Sequence, residues 1–283
     1  MATDSPDVRQ FVAGDGPAIR GESTGEGMPI VLCHGLTATR RSVVHGSRTL
    51  ERAGFRVLTY DARGHGESDP APPDMGYGYP DLVGDLGRVV AQTVGAQESF
   101  LLGGHSMGAH TALGYALRRP ERIAGLVIVG PTYEGPLDAE SVAYWEGLAA
   151  ALESGGIEAF VAYIGEAQQI APRWRDSVLR FTRERMLRHR HLGAVVEAIR
   201  RLPHSHPFGA LGELAELDVP ALVVASHDEA DPGHPYATAA AYAELLPRAE
   251  LISEPAGASP LAWQGGRLSR AIAAFYSSLS PVQ

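Results

Sequence analysis

The sequence contains no lysine; all 24 of its basic side chains are arginine. That absence excludes Schiff-base chemistry and serine–lysine dyads, because no ε-amine exists to perform either. Cysteine is almost as scarce. Cys33 stands alone, so no intrachain disulfide and no cysteine-built metal site can form. Apolar runs stay short of the ~20 residues a membrane span needs. Residues Met1–Gln10 lack the basic start and apolar stretch of a signal peptide, so a cytoplasmic location is expected. Positive charge is in deficit: 24 basic against 33 acidic residues, a formal net charge of −9, is the wrong sign for a phosphate-binding surface. Neither nucleic acid nor a membrane is an expected partner. A small-molecule substrate is, and a homodimer is left open.

The 283 residues are 45% hydrophobic and 20% charged, an ordinary globular composition long enough to bury a full core. Strand-like and helix-like segments alternate, which predicts an α/β fold with a mostly parallel central sheet and helices on both faces. Short β-branched runs bounded by turn residues predict strands at Pro29–Cys33, Arg56–Tyr60, Ser99–Gly103, Ile123–Val129, Ala221–Ala225 and Ala249–Ser253. An antiparallel hairpin, Arg9–Gly14 with Ile19–Ser23, is expected before them. Helical spacing predicts helices at Ser42–Ala53, Pro80–Val94, Ala109–Arg118, Pro235–Leu246 and Leu261–Leu279. From Tyr133 to Glu213 no strand is evident; Asp138–Leu152, Ile157–Gln168, Trp174–Arg188 and Leu192–Arg201 all read as helices. The expected organisation is a core (1–132), an inserted helical lid (133–213), and the rest of the core (214–283). A lid over the carboxyl ends of the strands, where open α/β sheets bind ligands, supplies an apolar roof.

The most informative segment is Leu101–Ala109, which contains G-x-S-x-G as Gly104, Ser106 and Gly108, after a predicted strand and before a predicted helix. A serine at such a strand-to-helix turn projects its hydroxyl above the sheet, and small residues two before and two after avoid clashes. The helix N-terminus offers the Met107 N–H to a developing oxyanion. A second donor must converge on the same point, and Leu36, after the strand end Cys33-His34-Gly35, is the natural one. His34 reads as an anchor for that loop.

These three features in order, His34-Gly35, then Asp61-Ala62-Arg63-Gly64-His65-Gly66-Glu67-Ser68, then Gly104-His105-Ser106-Met107-Gly108, resemble the α/β-hydrolase superfamily, most of all its lidded esterase, epoxide-hydrolase and haloperoxidase-like members. The similarity runs from about Pro29 to Val129 and resumes at Pro220. The resemblance implies that the Asp61–Ser68 loop is structural. Members that open epoxides carry an aspartate at the turn; Ser106 instead implies ester, lactone or thioester chemistry through an acyl-enzyme.

The resemblance also implies an acid after the strand Ala221–Ala225. Asp228, Glu229 and Asp231 compete there; Asp228, closest to the strand, is the first choice and Asp231 the second, the others serving to cap the next helix. A histidine is then expected after the last strand, but Ala258 or Ser259 occupies its place, and no histidine follows His234. The base must come from elsewhere. His234, stiffened by Pro232 and Pro235, is the leading candidate, ahead of His227 and of His204 and His206 from the lid. His105 is expected to point away from the serine, His189 and His191 to lie on a solvated helix, and His45 and His110 to be structural. No nucleotide fingerprint or metal-ligand spacing appears, so no cofactor is expected. The expected catalytic set is thus Ser106, Asp228 and His234, with Leu36 and Met107 as oxyanion donors. It fits a serine hydrolase, with a lyase, cyclase or acyltransferase on the same fold as the rival and a non-catalytic binder behind it.

Overall fold

The computed structural model describes residues 8–279. Eight strands form one sheet: β1 (Arg9–Ala13), β2 (Ile19–Thr24), β3 (Met28–Cys33), β4 (Phe55–Tyr60), β5 (Phe100–His105), β6 (Ile123–Val129), β7 (Ala221–Val224) and β8 (Ala249–Ile252). Their spatial order is β1-β2-β4-β3-β5-β6-β7-β8. The β1–β2 hairpin and the β2–β4 pairing are antiparallel; every pairing from β4 onward is parallel. Parallel strands need cover on both faces, which is why Ile30–Cys33, Leu126–Val129 and Ala221–Val224 are apolar without alternation and buried throughout. One face packs on α2 (Tyr79–Thr93), α3 (Met107–Ala116) and α7 (Tyr236–Leu245) through Leu86, Leu113 and Tyr242. The other packs on α1 (Thr49–Arg52) and α8 (Gly265–Leu279) through Leu50, Leu268 and Phe275.

The helix expected over Ser42–Ala53 shrinks to the single turn Thr49–Arg52. His45 (φ 46°) and Gly46 (φ 72°) lie in the left-handed region, which no α-helix accommodates. The helix expected from Leu261 starts at Gly265, after a 3-10 turn at Leu261–Trp263.

Between β6 and β7 the chain is helical: α4 (Ala139–Ala167), α5 (Pro172–Met186) and α6 (Leu192–Arg201). Gly156 (φ 65°, ψ −157°) breaks α4 into the two helices that the sequence pattern separates. Unlike the short apolar runs read from the sequence, α4 has the length and mean hydropathy of a membrane span. Its side chains argue for packing instead. Leu148, Leu152, Phe160 and Ile164 join the insertion's own core, while Glu146 and Glu153 pair with Arg200 and Glu158 pairs with Arg183.

The Asp61–Ser68 loop is a structural staple. Asp61 accepts from the Arg40 backbone (2.7 Å), and Ser68 Oγ donates to the Asp61 carbonyl (2.6 Å). Arg63 donates from Nε and Nη2 to both oxygens of Asp85, each at 2.7 Å, with side chains only 1% and 2% exposed. Removing Asp85 takes both of these bonds from the buried Arg63 and leaves it only the partly exposed Asp81 carboxylate at 3.2 Å. Asp85→Ala is expected to lower unfolding free energy by about 3–5 kcal/mol, read as a shifted urea midpoint; a change under about 1 kcal/mol would contradict this reading.

Candidate active site

Ser106 links β5 to α3 with φ 52° and ψ −116°, a strained conformation for a residue with a side chain. The flanking glycines are obligatory. A Cβ on Gly104 would lie 2.2 Å from the Gly108 carbonyl carbon, and one on Gly108 would lie 2.2 Å from the Cys33 oxygen. The G-x-S-x-G spacing is therefore a steric requirement of this turn. It delivers Ser106 to a cavity of about 490 Å³. The helices between β6 and β7 line it with Leu148, Phe160, Ile164, Val178 and Phe181, an apolar surface.

The Gly35–Thr37 loop lies against the serine turn: a Cβ on Gly35 would be 3.5 Å from Ser106 Cβ and 2.9 Å from His105 Nδ1. Leu36 lines the cavity, and Met107 opens α3 behind Ser106. Neither N–H donates to another backbone carbonyl among the described residues. His34 anchors this loop, bonding the Gly35 carbonyl through Nδ1 (2.8 Å) and accepting the Ala62 N–H at Nε2 (2.8 Å).

The loop after β7 separates the candidate carboxylates. Asp228 does not reach the cavity: it is exposed, and its Oδ1 accepts the Tyr236 N–H at 2.8 Å, capping α7. This overturns the first choice of acid, for the reason that this carboxylate already serves the start of a helix. Glu229 is exposed and pairs with Arg173. Asp231 faces the cavity, and its Oδ1 lies 2.8 Å from His234 Nδ1. Burial alone would raise the Asp231 carboxyl; the His234 ring, with His105 and Arg185 farther off, outweighs that and holds it below the ordinary carboxylate range. The contact draws the Nδ1 proton to Asp231, leaving Nε2 as an acceptor. No hydrogen bond joins His234 to Ser106 among the described residues, although both line the same cavity.

In the loop after β8, Ala258 and Ser259 do not line the cavity; Ala262 and Trp263 do, and Trp263 stacks on Phe181 of α5 at 6.3 Å. Buried Glu254 holds the loop by accepting from the Leu261 and His227 N–H groups, both at 2.7 Å. Its role gives no periodic or motif signal in the sequence. Among the other histidines, His227 stacks on Tyr236, while His204 and His206 are exposed and off the cavity.

Three expectations about histidine are corrected. His105 does not point away: it lines the cavity 4.6 Å, ring to ring, from His234, and its Nε2 is buried without a partner. His45 is in the irregular segment before α1 and also lines the cavity. His189 is buried, not solvated. Its Nδ1 accepts the Gly66 N–H (2.9 Å) and its Nε2–H donates to the Thr37 carbonyl (3.0 Å), tying the segment after α5 to the loops after β3 and β4.

His34, His189 and His110 each use one ring nitrogen as an acceptor from backbone N–H groups, so each must stay neutral. Burial is the main force depressing them: His34 to about 4, His105 and His110 to about 3, His189 below its ordinary value and His65 well below. An unfolded chain takes up these protons as pH falls through ~6.5, while the folded chain refuses them until much lower pH. Stability is therefore full above that point and declines below it, by at most about 1.4 kcal/mol per pH unit per histidine. The urea midpoint is expected to hold from pH 7.5 to about 6.5 and to fall from there to pH 5. A flat midpoint over that range would mean these rings are accessible to protons in the folded state.

Comparison with known proteins gives the class. The family model described as "alpha/beta hydrolase fold" matches residues 28–266, and the chain belongs to that family. Epoxide hydrolase B of Mycobacterium tuberculosis is 34% identical over 110 residues, covering 39% of this chain and 30% of that protein; the chain thus spans under a third of that relative. The 2-hydroxy-6-oxononadienedioate/2-hydroxy-6-oxononatrienedioate hydrolase 2 of Pseudomonas putida is 29% identical over 212 residues, covering 71% of each. A thermophilic esterase from Thermogutta terrifontis superposes with a TM-score of 0.74 at 21% identity, covering 96% of this chain and 99% of that one. The class is thus set by the α/β-hydrolase fold, which spans most of the chain.

Proposed function

We propose that the protein is a cofactor-free serine hydrolase, cleaving an ester, lactone or thioester of a small to medium, partly apolar acid through an acyl-enzyme on Ser106. The observation that carries this reading is the Asp231–His234 pair, 2.8 Å apart, opening onto the cavity that holds Ser106 at a strained turn. His234 Nε2 takes the proton of Ser106 Oγ as it attacks the carbonyl carbon, and Asp231 steadies the imidazolium. The Leu36 and Met107 N–H groups stabilise the oxyanion. Collapse of the tetrahedral intermediate expels the alkoxide or thiolate, which takes the proton from His234. Water, deprotonated by the same ring, then releases the acid. In this reading His234 replaces the histidine missing after β8, reaching the serine from the β7 side.

The test uses a panel of p-nitrophenyl esters in H₂¹⁸O. One ¹⁸O atom per product acid is expected, with an acyl adduct on Ser106 visible by intact mass when the reaction is quenched early. Turnover with no label in the product would mean that the acyl group passes to an acceptor other than water, and would replace hydrolysis with the acyltransferase reading.

A further inference from the structure

Arg185 lies on α5 and lines the cavity. Its Nε is buried, yet it has no hydrogen-bond partner, and its guanidinium forms no ion pair among the described residues. The residue as a whole is half-buried, and a buried donor of a cation left unpaired is costly. Asp231 is the only carboxylate among the residues lining the cavity and Arg185 the only arginine, but the two are not within ion-pair distance. In the proposed chemistry Asp231 is committed to His234. Its carboxylate is held by that ring at 2.8 Å and is not bonded to Arg185. Tyr144 lines the same cavity and feels the Arg185 charge; it accepts a hydrogen bond from Gln168 Nε2 at 2.8 Å, which leaves its own O–H free to donate. A cation with a planar fork of N–H donors and an adjacent hydroxyl form a receptor for a carboxylate.

We infer that Arg185, with Tyr144, binds a free carboxylate on the substrate, so that the preferred substrate is the monoanionic ester or lactone of a dicarboxylic acid. This rests on the hydrolase reading for what happens at Ser106, but the binding itself does not. The surrounding lining of Leu148, Phe160, Ile164 and Val178 suits a hydrocarbon spacer between carboxylate and scissile bond. It also gives the carboxylate little water to keep, which strengthens its pairing with Arg185.

Calorimetric titration of Ser106→Ala with monomethyl glutarate and with dimethyl glutarate tests this without turnover. The monoanion is expected to bind at least about tenfold tighter than the neutral diester, as befits one charge-assisted pair. Adding Arg185→Gln should remove that preference, and Arg185→Lys should keep part of it. Because Arg185 is unpaired in the free protein, Arg185→Gln should hold or raise the melting temperature, which a purely structural arginine would not do. Equal binding of the two ligands, no binding of either, or equal weakening of both by Arg185→Gln would overturn the inference. A failure of the hydrolase reading shows up separately, as a Ser106 that forms no acyl adduct while the carboxylate preference persists.

Discussion

His234→Gln lowers kcat for p-nitrophenyl ester hydrolysis by at least about a thousandfold, close to the loss from Ser106→Ala, and the double variant loses little more. The size follows from how a hydroxyl becomes a nucleophile. Serine is feebly ionised at neutral pH and needs a base within reach when it attacks. Among the described histidines, three line the cavity: His45, His105 and His234. His105 is pressed down to about 3 by burial, with His234 and Arg185 adding to it. His45 spends Nε2 on the Ala262 carbonyl at 3.3 Å. Only His234 is oriented by a carboxylate. Nucleophile and base act as a unit, so their losses do not add. Full additivity, or a loss under tenfold for His234→Gln, would move the base to another residue. KM for a neutral ester should change less than kcat, because the base is needed in the transition state rather than for binding.

Asp231→Asn lowers kcat by about 10³–10⁴-fold, whereas Asp228→Ala leaves kcat unchanged and lowers stability by about 0.5–2 kcal/mol. An amide at 231 no longer fixes the His234 tautomer or offsets its positive charge. At 228, by contrast, the carboxylate's partner is the Tyr236 N–H at the start of α7, and truncation frays that helix. The two variants differ by three positions in one loop and give opposite signatures, one kinetic and one thermodynamic. Kinetics on a single ester, with urea midpoints for both, checks this; a large kinetic loss for Asp228→Ala would return the acid to that position.

How much of this was readable in the residues depended on whether the constraint was local. The serine turn was readable because part of its constraint is local: Gly104 approaches the Gly108 carbonyl carbon within the turn itself, at 2.2 Å, while Gly108 answers to the distant Cys33 oxygen. The parallel strands were readable because burial on both faces makes them continuously apolar. The helices between β6 and β7, and the break at Gly156, followed from periodicity and glycine. The choice between Asp228 and Asp231 was not readable. Both follow the same strand, and only the fold of the Asp231–His234 turn, with the His234 N–H on the Asp231 carbonyl at 3.0 Å, decides which faces inward. His189 looked solvated among arginines because its two partners, Gly66 and Thr37, are 123 and 152 residues away. Arg185, one of several arginines in α5, gave no signal of its own: nothing in local spacing says which of them turns toward a cavity.

The central claim is that Ser106 is an activated nucleophile although no histidine follows the last strand. Fluorophosphonate labelling followed by intact mass tests it most directly. The account predicts rapid single labelling at Ser106, none in Ser106→Ala, and labelling slowed by orders of magnitude in His234→Gln. Labelling of the wild-type protein no faster than of His234→Gln would contradict it, because the serine would then have no base and the cavity would serve other chemistry.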